Sequence, residues 1–266
     1  MRLDHVVILV ADLDEARADY EALGFHVTVG GRHVGIPTHN ALVIFSDGTY
    51  LELLAPLDTH SARLSTDPWL LRLEKGEGLL SYALRCAPLP STTPEAPGLT
   101  WEMLEEGRVR PDGVALRWRD LLPSAGKSLT PLPLLIEDIT SSELRIPPEE
   151  AELHRLPVVG IARLRVVVTD VQKTARQMEQ LLGVLPEATG IPGRAHFALR
   201  ETDPTQVLEL VGPDSTPQAA DHLARLGEGP CEVELAVASD ASGGRILDGP
   251  THGVRFLFGA ARASRG

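Results

Sequence analysis

The sequence predicts an α+β protein of tandem βαβββ modules whose mixed sheets curl around clefts, arranged as two paired-module halves. Three observations carry this expectation. The segment Leu3–Phe25 has a partner in Ala162–Val184, and both run from a β-branched stretch through Val-x-Asp into a helical pattern. The strand-like Tyr50–Pro56 has a partner in Val207–Pro213, which aligns Glu52 with Glu209. Weaker strand series of the same order follow each copy. Internal repeats decide architecture before individual elements are refined.

The elements follow in chain order. Leu3–Val10 is apolar on both faces, as expected of a strand covered on one side and enclosed on the other. The two-residue period places His5 on one face with Leu3, Val7 and Leu9. Asp12 is expected to cap the following helix by accepting from its first free amides. Leu13, Ala16, Tyr20 and Leu23 recur at spacings of three and four and define its buried face. Gly24 supplies the stop. A loop carrying Gly30-Gly31-Arg32-His33 and Gly35–Asn40 leads into a strand at Ala41–Phe45. Asp47-Gly48 turns it back into Tyr50–Ala55. The second unit reads as a strand over Leu79–Cys86, a Pro-rich loop over Ala87–Gly98 around a short or missing helix, and strands at Gly107–Arg110, Val114–Asp120 and Leu132–Asp138. Residues 139–157, with Pro147-Pro148, read as a linker. The third unit repeats the first over about 158–213, with Asp170 as cap and Gly183 as stop. The last unit, with Cys231–Val237 and Val254–Phe258, lacks an obvious final strand. The expected division is therefore 1–138, a linker at 139–157, and a degenerate second half at 158–266.

Composition narrows the functional classes. Among 266 residues, 25 Lys and Arg face 37 Asp and Glu, a formal net charge of −12. That balance argues against a nucleic-acid backbone as ligand. With 43% hydrophobic and 23% charged residues the chain is neither disordered nor collagenous. Its apolar runs fall short of the roughly 20 residues of a membrane span. The N-terminus enters a strand-like pattern at once, so no signal peptide is expected, and two cysteines suit a reducing cytoplasm. The expected partners are a small-molecule substrate and, in a homodimer, a second copy of the chain.

The candidate chemistry sits on the repeated strands. Glu52, flanked by Leu51, Leu53 and Leu54, needs a partner if it is buried. In a βαβββ unit the first and last strands can lie side by side, which would bring His5 and Glu52 to one ion. Imidazole plus carboxylate suits Zn, Fe, Mn or Ni alike. The alternative is a core histidine beside an ion-paired structural carboxylate. In the second copy Arg163 stands at the position of His5, and Arg cannot ligate a metal. A guanidinium–carboxylate pair between Arg163 and Glu209 is expected instead. His39 or Asn40 could serve as third ligand, acid–base group or substrate donor, or be a solvated loop histidine and a turn asparagine. The solvated loop position suits His33 better still. Trp118 faces opposite to Arg117 and Arg119 and could floor a pocket or fill a core. Glu137 ends a strand and could complete a metal site or lie on the surface. No nucleophile elbow, Cys-x-x-Cys, Walker or G-x-G-x-x-G pattern is present.

LDHVVILVADLDEARADYEALGF followed by GGRHVGIPTHNALVIFSDGTYLELLAP resembles the glyoxalase-like branch of the vicinal-oxygen-chelate superfamily, as do RPDGVALRW and LPLLIEDIT downstream. The resemblance covers roughly residues 1–140, and a degenerate module follows from Ile161. It implies paired βαβββ modules forming an eight-stranded, cleft-shaped sheet with the site on its concave face. It further implies a divalent metal held by the first and last strands of each module, with His5 and Glu52 as ligands from the first. The second-module positions fall near Ser81–Tyr82 and Glu137, where only Glu137 could ligate, and His39 is the candidate for filling the gap. The implied activities are those of a metal-dependent lyase, isomerase or dioxygenase acting on a small oxygenated molecule, with His39 or Glu137 moving a proton. The alternative is a metal-free protein that binds or sequesters a small molecule, with Asn40 and Trp118 among its contacts.

Overall fold

A computed structural model describes residues 1–58, 68–95, 99–124, 129–199, 201, 205–238 and 246–260. The first module forms as read: β1 (Arg2–Leu9), α1 (Leu13–Leu23), β2 (Thr28–His33), β3 (Thr38–Ile44) and β4 (Tyr50–Pro56). Asp12 accepts from the amides of Asp14 and Glu15 at 2.9 and 3.0 Å, and Gly24 closes the helix at φ 105°, a conformation glycine adopts without a Cβ penalty. A short helix, α2 (Pro68–Leu71), precedes the second module of β5 (Gly78–Arg85), β6 (Thr100–Val109), β7 (Ala115–Ser124) and β8 (Leu134–Asp138). No helix joins β5 to β6 among the described residues; the end of that Pro-rich connection, 96–98, lies outside them.

The eight strands close into a barrel in the order β1-β4-β3-β2-β6-β7-β8-β5. One seam is the parallel pair β1–β4 with its antiparallel neighbour β5. The opposite seam is narrow, with only Arg32 opposite Val109 and His33 opposite Arg108. Gly31 makes that closure feasible: a Cβ there would strike the Val109 carbonyl, and φ is 137°.

The stretch 139–157 is folded rather than a bare linker. It carries α3 (Ser142–Arg145) and a 3-10 turn at Pro148–Leu153. Ile146 and Ala151 are buried against Leu42, Ile44 and Tyr50, so the connection is packed on one end of the barrel.

The second half is a five-stranded sheet, β10-β11-β9-β12-β13, from β9 (Val158–Val167), β10 (Arg194–Leu199), β11 (Gln206–Val211), β12 (Gly229–Val237) and β13 (Phe256–Ala260). Its helices are α4 (Val171–Leu182), capped by Asp170 and stopped by Gly183, and α5 (Pro217–Leu226). The third copy is thus βαββ, one strand short of the expected βαβββ, and among the described residues the fourth has the strands β12 and β13. With so few strands the sheet stays open where the first half closes.

The main core lies between the two halves and not inside the barrel. Val6, Ile8, Leu51 and Leu53 from the outer barrel wall share one apolar cluster with Leu164, Leu208, Val233 and Phe256 of the open sheet. No helix among the described residues is long and apolar enough to cross a membrane.

Candidate functional site

A one-residue irregularity aims the first site residue. Between Leu3 and His5 the β1–β5 register slips, so Asp4 is an extra residue opposite β5. Such a bulge reverses the alternation locally. Leu3 therefore joins Val6 and Ile8 in the outer core, whereas His5 and Val7 line the barrel interior. The expectation that Leu3 and His5 share a face fails for this reason.

The interior holds a cavity of about 440 Å³. His5, Asn40, Glu52 and Trp118 all line it, as does His33. Parallel pairing sets Val7 opposite Glu52 on β4, and His5 Nε2 comes to 3.5 Å from Glu52 Oε2. His33 Nε2 lies 3.6 Å from the other oxygen, Oε1, which also accepts from Asn40 Nδ2 at 2.6 Å. The Asn40 amide is fixed on its other side by Arg108, whose Nη1 donates to Oδ1 at 3.1 Å. Its nitrogen lies 3.3 Å from His33 Nε2, so that ring nitrogen is the acceptor and Nδ1–H points to Thr38 Oγ1 at 2.8 Å. Gly30 leaves room for this arrangement, since a Cβ there would fall on Asn40 Oδ1 and Arg108 Nη1.

Burial would raise the Glu52 pKa, but His5, His33 and the Asn40 hydrogen bond outweigh it and hold the carboxyl below its ordinary value. Burial pushes His33 down, against the pull of Glu52, so its imidazole is neutral at pH 7. Behind His5, Asp4 accepts from Nδ1 at 2.8 Å and so directs Nε2 toward the cavity. Asp4 is fully buried, and Arg145 pairs with it bidentately at 2.9 and 3.0 Å while Arg85 adds a third bond at 2.7 Å. Against the cost of burial, Arg145 and the His5 bond keep Asp4 well below the usual carboxylate range. Arg145 also reaches Asp138 at 2.6 Å and the Tyr50 hydroxyl at 2.7 Å, and the Tyr50 ring stacks on His5 with centroids 4.7 Å apart.

Asp120 on β7 contrasts with Glu52. Its Oδ2 accepts from Trp118 Nε1 at 2.9 Å, and its Oδ1 is buried without a hydrogen-bond partner. Burial, with Glu106 and Glu52 adding to it against the Trp118 bond, raises its pKa to about 8.

Two expected residues lie elsewhere. His39 alternates with Asn40 and so faces out of the barrel, toward Asp12 and Asp14. Glu137 likewise faces outward from β8, 3.2 Å from Arg119. Neither can act on a molecule in the cavity.

A divalent centre of the superfamily type needs donors from both modules. The first offers His5 and Glu52, which do meet, with His33 beside them. The second turns Ser81 of β5 and Ile136 of β8 to the cavity, a hydroxyl and an alkyl chain. Among the described residues no three His, Cys, Asp or Glu side chains are grouped to hold an ion. The donor set therefore does not fit a complete metal site. Glu52 is met instead by the Asn40 hydrogen bond, by Arg108 and by His5 Nε2 at 3.5 Å.

In the second half Glu209 does pair with Arg163, at 3.4 Å, as expected. It is held more tightly by Arg165 at 2.5 Å, His196 at 2.9 Å and Arg194 at 3.0 Å. The His196 and Arg165 bonds overcome burial and bring its pKa down to about 2.

Fold and cavity together define an eight-stranded barrel of two four-stranded modules around a lined interior. The model of the glyoxalase-like domain family matches residues 3–182, well over half of the chain, which belongs to that family. A hypothetical protein from Staphylococcus aureus is similar in structure over 97% of this chain and 99% of that one, at a TM-score of 0.70 and 12% identity. At that identity the likeness shows the fold alone. Methylmalonyl-CoA epimerase from Streptomyces coelicolor is 24% identical, covering 53% of this chain and 99% of that one at a TM-score of 0.33. An extradiol ring-cleaving dioxygenase from B. fuscum is 12% identical, covering 97% and 71% at 0.49. No curated protein matches the chain.

Proposed function

We propose that the barrel cavity binds a small oxygenated organic molecule and moves a proton on it, as an isomerase or lyase working through its own side chains. The supporting observation is that, among the carboxyls lining the cavity, Glu52 and Asp120 are pushed in opposite directions, one down and one up. Environments that push such a pair apart mark an acid and a base. Asp120, with its pKa raised to about 8, is the acid. The base is the Glu52–His33 pair: Glu52 is ionised, and neutral His33 offers the lone pair on Nε2. His5, fixed by Asp4, holds the Glu52 oxygen on the other side and is a positioning residue. The substrate body packs on Trp118, Leu104 and Leu122, in the manner of apolar pockets with a few placed polar groups.

The test is a pH profile of turnover, with candidate substrates first found by ligand-induced rise in Tm. The alkaline limb should fall near pH 8 and vanish with Asp120→Asn, which should lose about 10²-fold or more in kcat. An alkaline limb unchanged by that substitution sinks the assignment. Metal content is measured on the same preparations after supplementation. Stoichiometric metal in wild type that is lost in His5→Ala and Glu52→Ala would overturn the metal-free reading.

A further inference from the structure

The open sheet of the second half carries four arginines on one face, and together they form more than a neutralising shell for Glu209. Arg165, Arg194 and Arg255 line a pocket of about 130 Å³, separate from the barrel cavity. The one carboxylate on its wall is Glu232, with Glu209 bound to Arg165 and Arg194. Glu232 pairs with Arg165 and accepts from Arg255 Nε at 2.6 Å. Glu209 takes Arg194 Nη1 at 3.0 Å, and Arg163 completes the cluster between Glu209 and Glu234, at 3.4 and 3.6 Å. Four guanidiniums thus face three carboxylates, which leaves one positive charge uncompensated in a chain whose total is −12.

The donors are in surplus as well as the charge. A guanidinium has five N–H groups, and carboxylates engage one nitrogen of Arg194 and one of Arg255. Arg194 Nε is buried with no hydrogen-bond partner among the described residues. The α5 start adds to the same wall: Thr216 caps it, and Gln218 and Ala219 of its first turn line the pocket, so the positive end of the helix lies there too. Cys231, also on the wall, is pushed by burial up to about 12, so it brings no competing thiolate.

We propose that this pocket is a binding site for a small oxyanion of the phosphate or phosphate-monoester class, held by Arg194 and Arg255 over the salt-bridged floor of Arg165. Planar guanidinium forks match the oxygens of such an anion bidentately. The four-arginine cluster occupies the place that the His5 and Glu52 site takes in the first half. Arg163, at the position that matches His5, joins the cluster through Glu209 and Glu234, while the pocket itself is lined by Arg165, Arg194 and Arg255.

The experiment is titration of the full chain with inorganic phosphate, followed by isothermal calorimetry and Tm, against sodium chloride at matched ionic strength. Saturable binding and a Tm rise beyond that of chloride are expected. Arg194→Gln and Arg255→Gln should each weaken phosphate about tenfold or more, the worth of a charge-assisted hydrogen bond. Glu232→Gln, which removes the competing carboxylate, should tighten it. Phenyl phosphate in parallel separates the two sources: equal binding points to the terminal phosphate of a larger molecule, and exclusion points to the free ion. Phosphate indistinguishable from chloride, or bound equally by wild type and all three variants, overturns the proposal.

Discussion

At the scale of single residues, the barrel site depends on a chain of charge that begins outside the cavity. Glu52 is set by His5, His5 by Asp4, and Asp4 by Arg145 and Arg85. Asp4 and Arg145 are 0% and 2% exposed, so neither can turn to water if its partner is lost. Arg145→Ala leaves two carboxylates, Asp4 and Asp138, sharing Arg85 at 2.7 and 3.8 Å after the bidentate guanidinium is lost. It should cost about 3–5 kcal/mol, the usual price of breaking a buried pair from one side. Thermal or urea unfolding measures it. Asp4→Asn combined with Arg145→Met removes both charges and should recover part of that loss. A single variant within about 0.5 kcal/mol of wild type, the range of neutral surface changes, refutes the account. The Asp4 and Arg145 roles were not legible beforehand because the partners are 141 residues apart and Arg145 sits in a stretch that reads as linker. His5, Asn40, Glu52 and Trp118 could be picked out because strand alternation and a repeated Glu are local signals. His39 and Glu137 were misplaced for a related reason. Residue type suggested chemistry, but alternation from Asn40 and from Ile136 turns both side chains outward. His33 carried no such signal, since its place depends on where β2 meets β6.

At the scale of elements, closing the sheet is what converts a half-buried cleft into an enclosed cavity, and two adjacent glycines permit it. Gly31 lets β2 approach the Val109 carbonyl, and Gly30 lets Asn40 and Arg108 meet beneath it. Gly30→Ala leaves the backbone dihedrals attainable yet forces the amide and guanidinium apart. The expected result is a fold with little change in circular dichroism but ligand binding in the barrel weakened about tenfold, the loss of one charge-assisted contact. Gly30→Ala with unaltered binding would show that the Asn40–Arg108 contact does not shape the cavity. The elements of the first module were legible because caps, periodicity and turn residues all agree there. The missing strand of the third copy was not. Its place falls in 183–193, where the pairing is reduced to an isolated antiparallel bridge between Glu187 and His196.

At the scale of the whole molecule, an apolar cluster shared between the two halves predicts that they unfold as one unit. Phe256 of β13 is 0% exposed and meets Tyr20 of α1 edge-on, with ring centroids 6.1 Å apart, and Phe25 at the same distance. His252, just before β13, lies between Glu77 at 2.9 Å and Asp19 at 3.2 Å, both from the first half. The tryptophans at 69, 101 and 118 all lie in the first half, so their fluorescence reports on that half and, through Trp101, on the cluster it shares with the second. Far-UV circular dichroism reports both halves. Phe256→Ala removes an aromatic ring from the shared core and should cost about 3–5 kcal/mol. If the halves unfold together, that substitution in the second half shifts the tryptophan transition and the dichroism transition by the same amount. Coincidence of two probes is the test of two-state behaviour. A tryptophan transition that stays in place while dichroism becomes biphasic would mean independent halves. Joint unfolding would also tie the barrel site to its arginine-rich neighbour through stability, because any anion that binds the native second half stabilises the first by mass action.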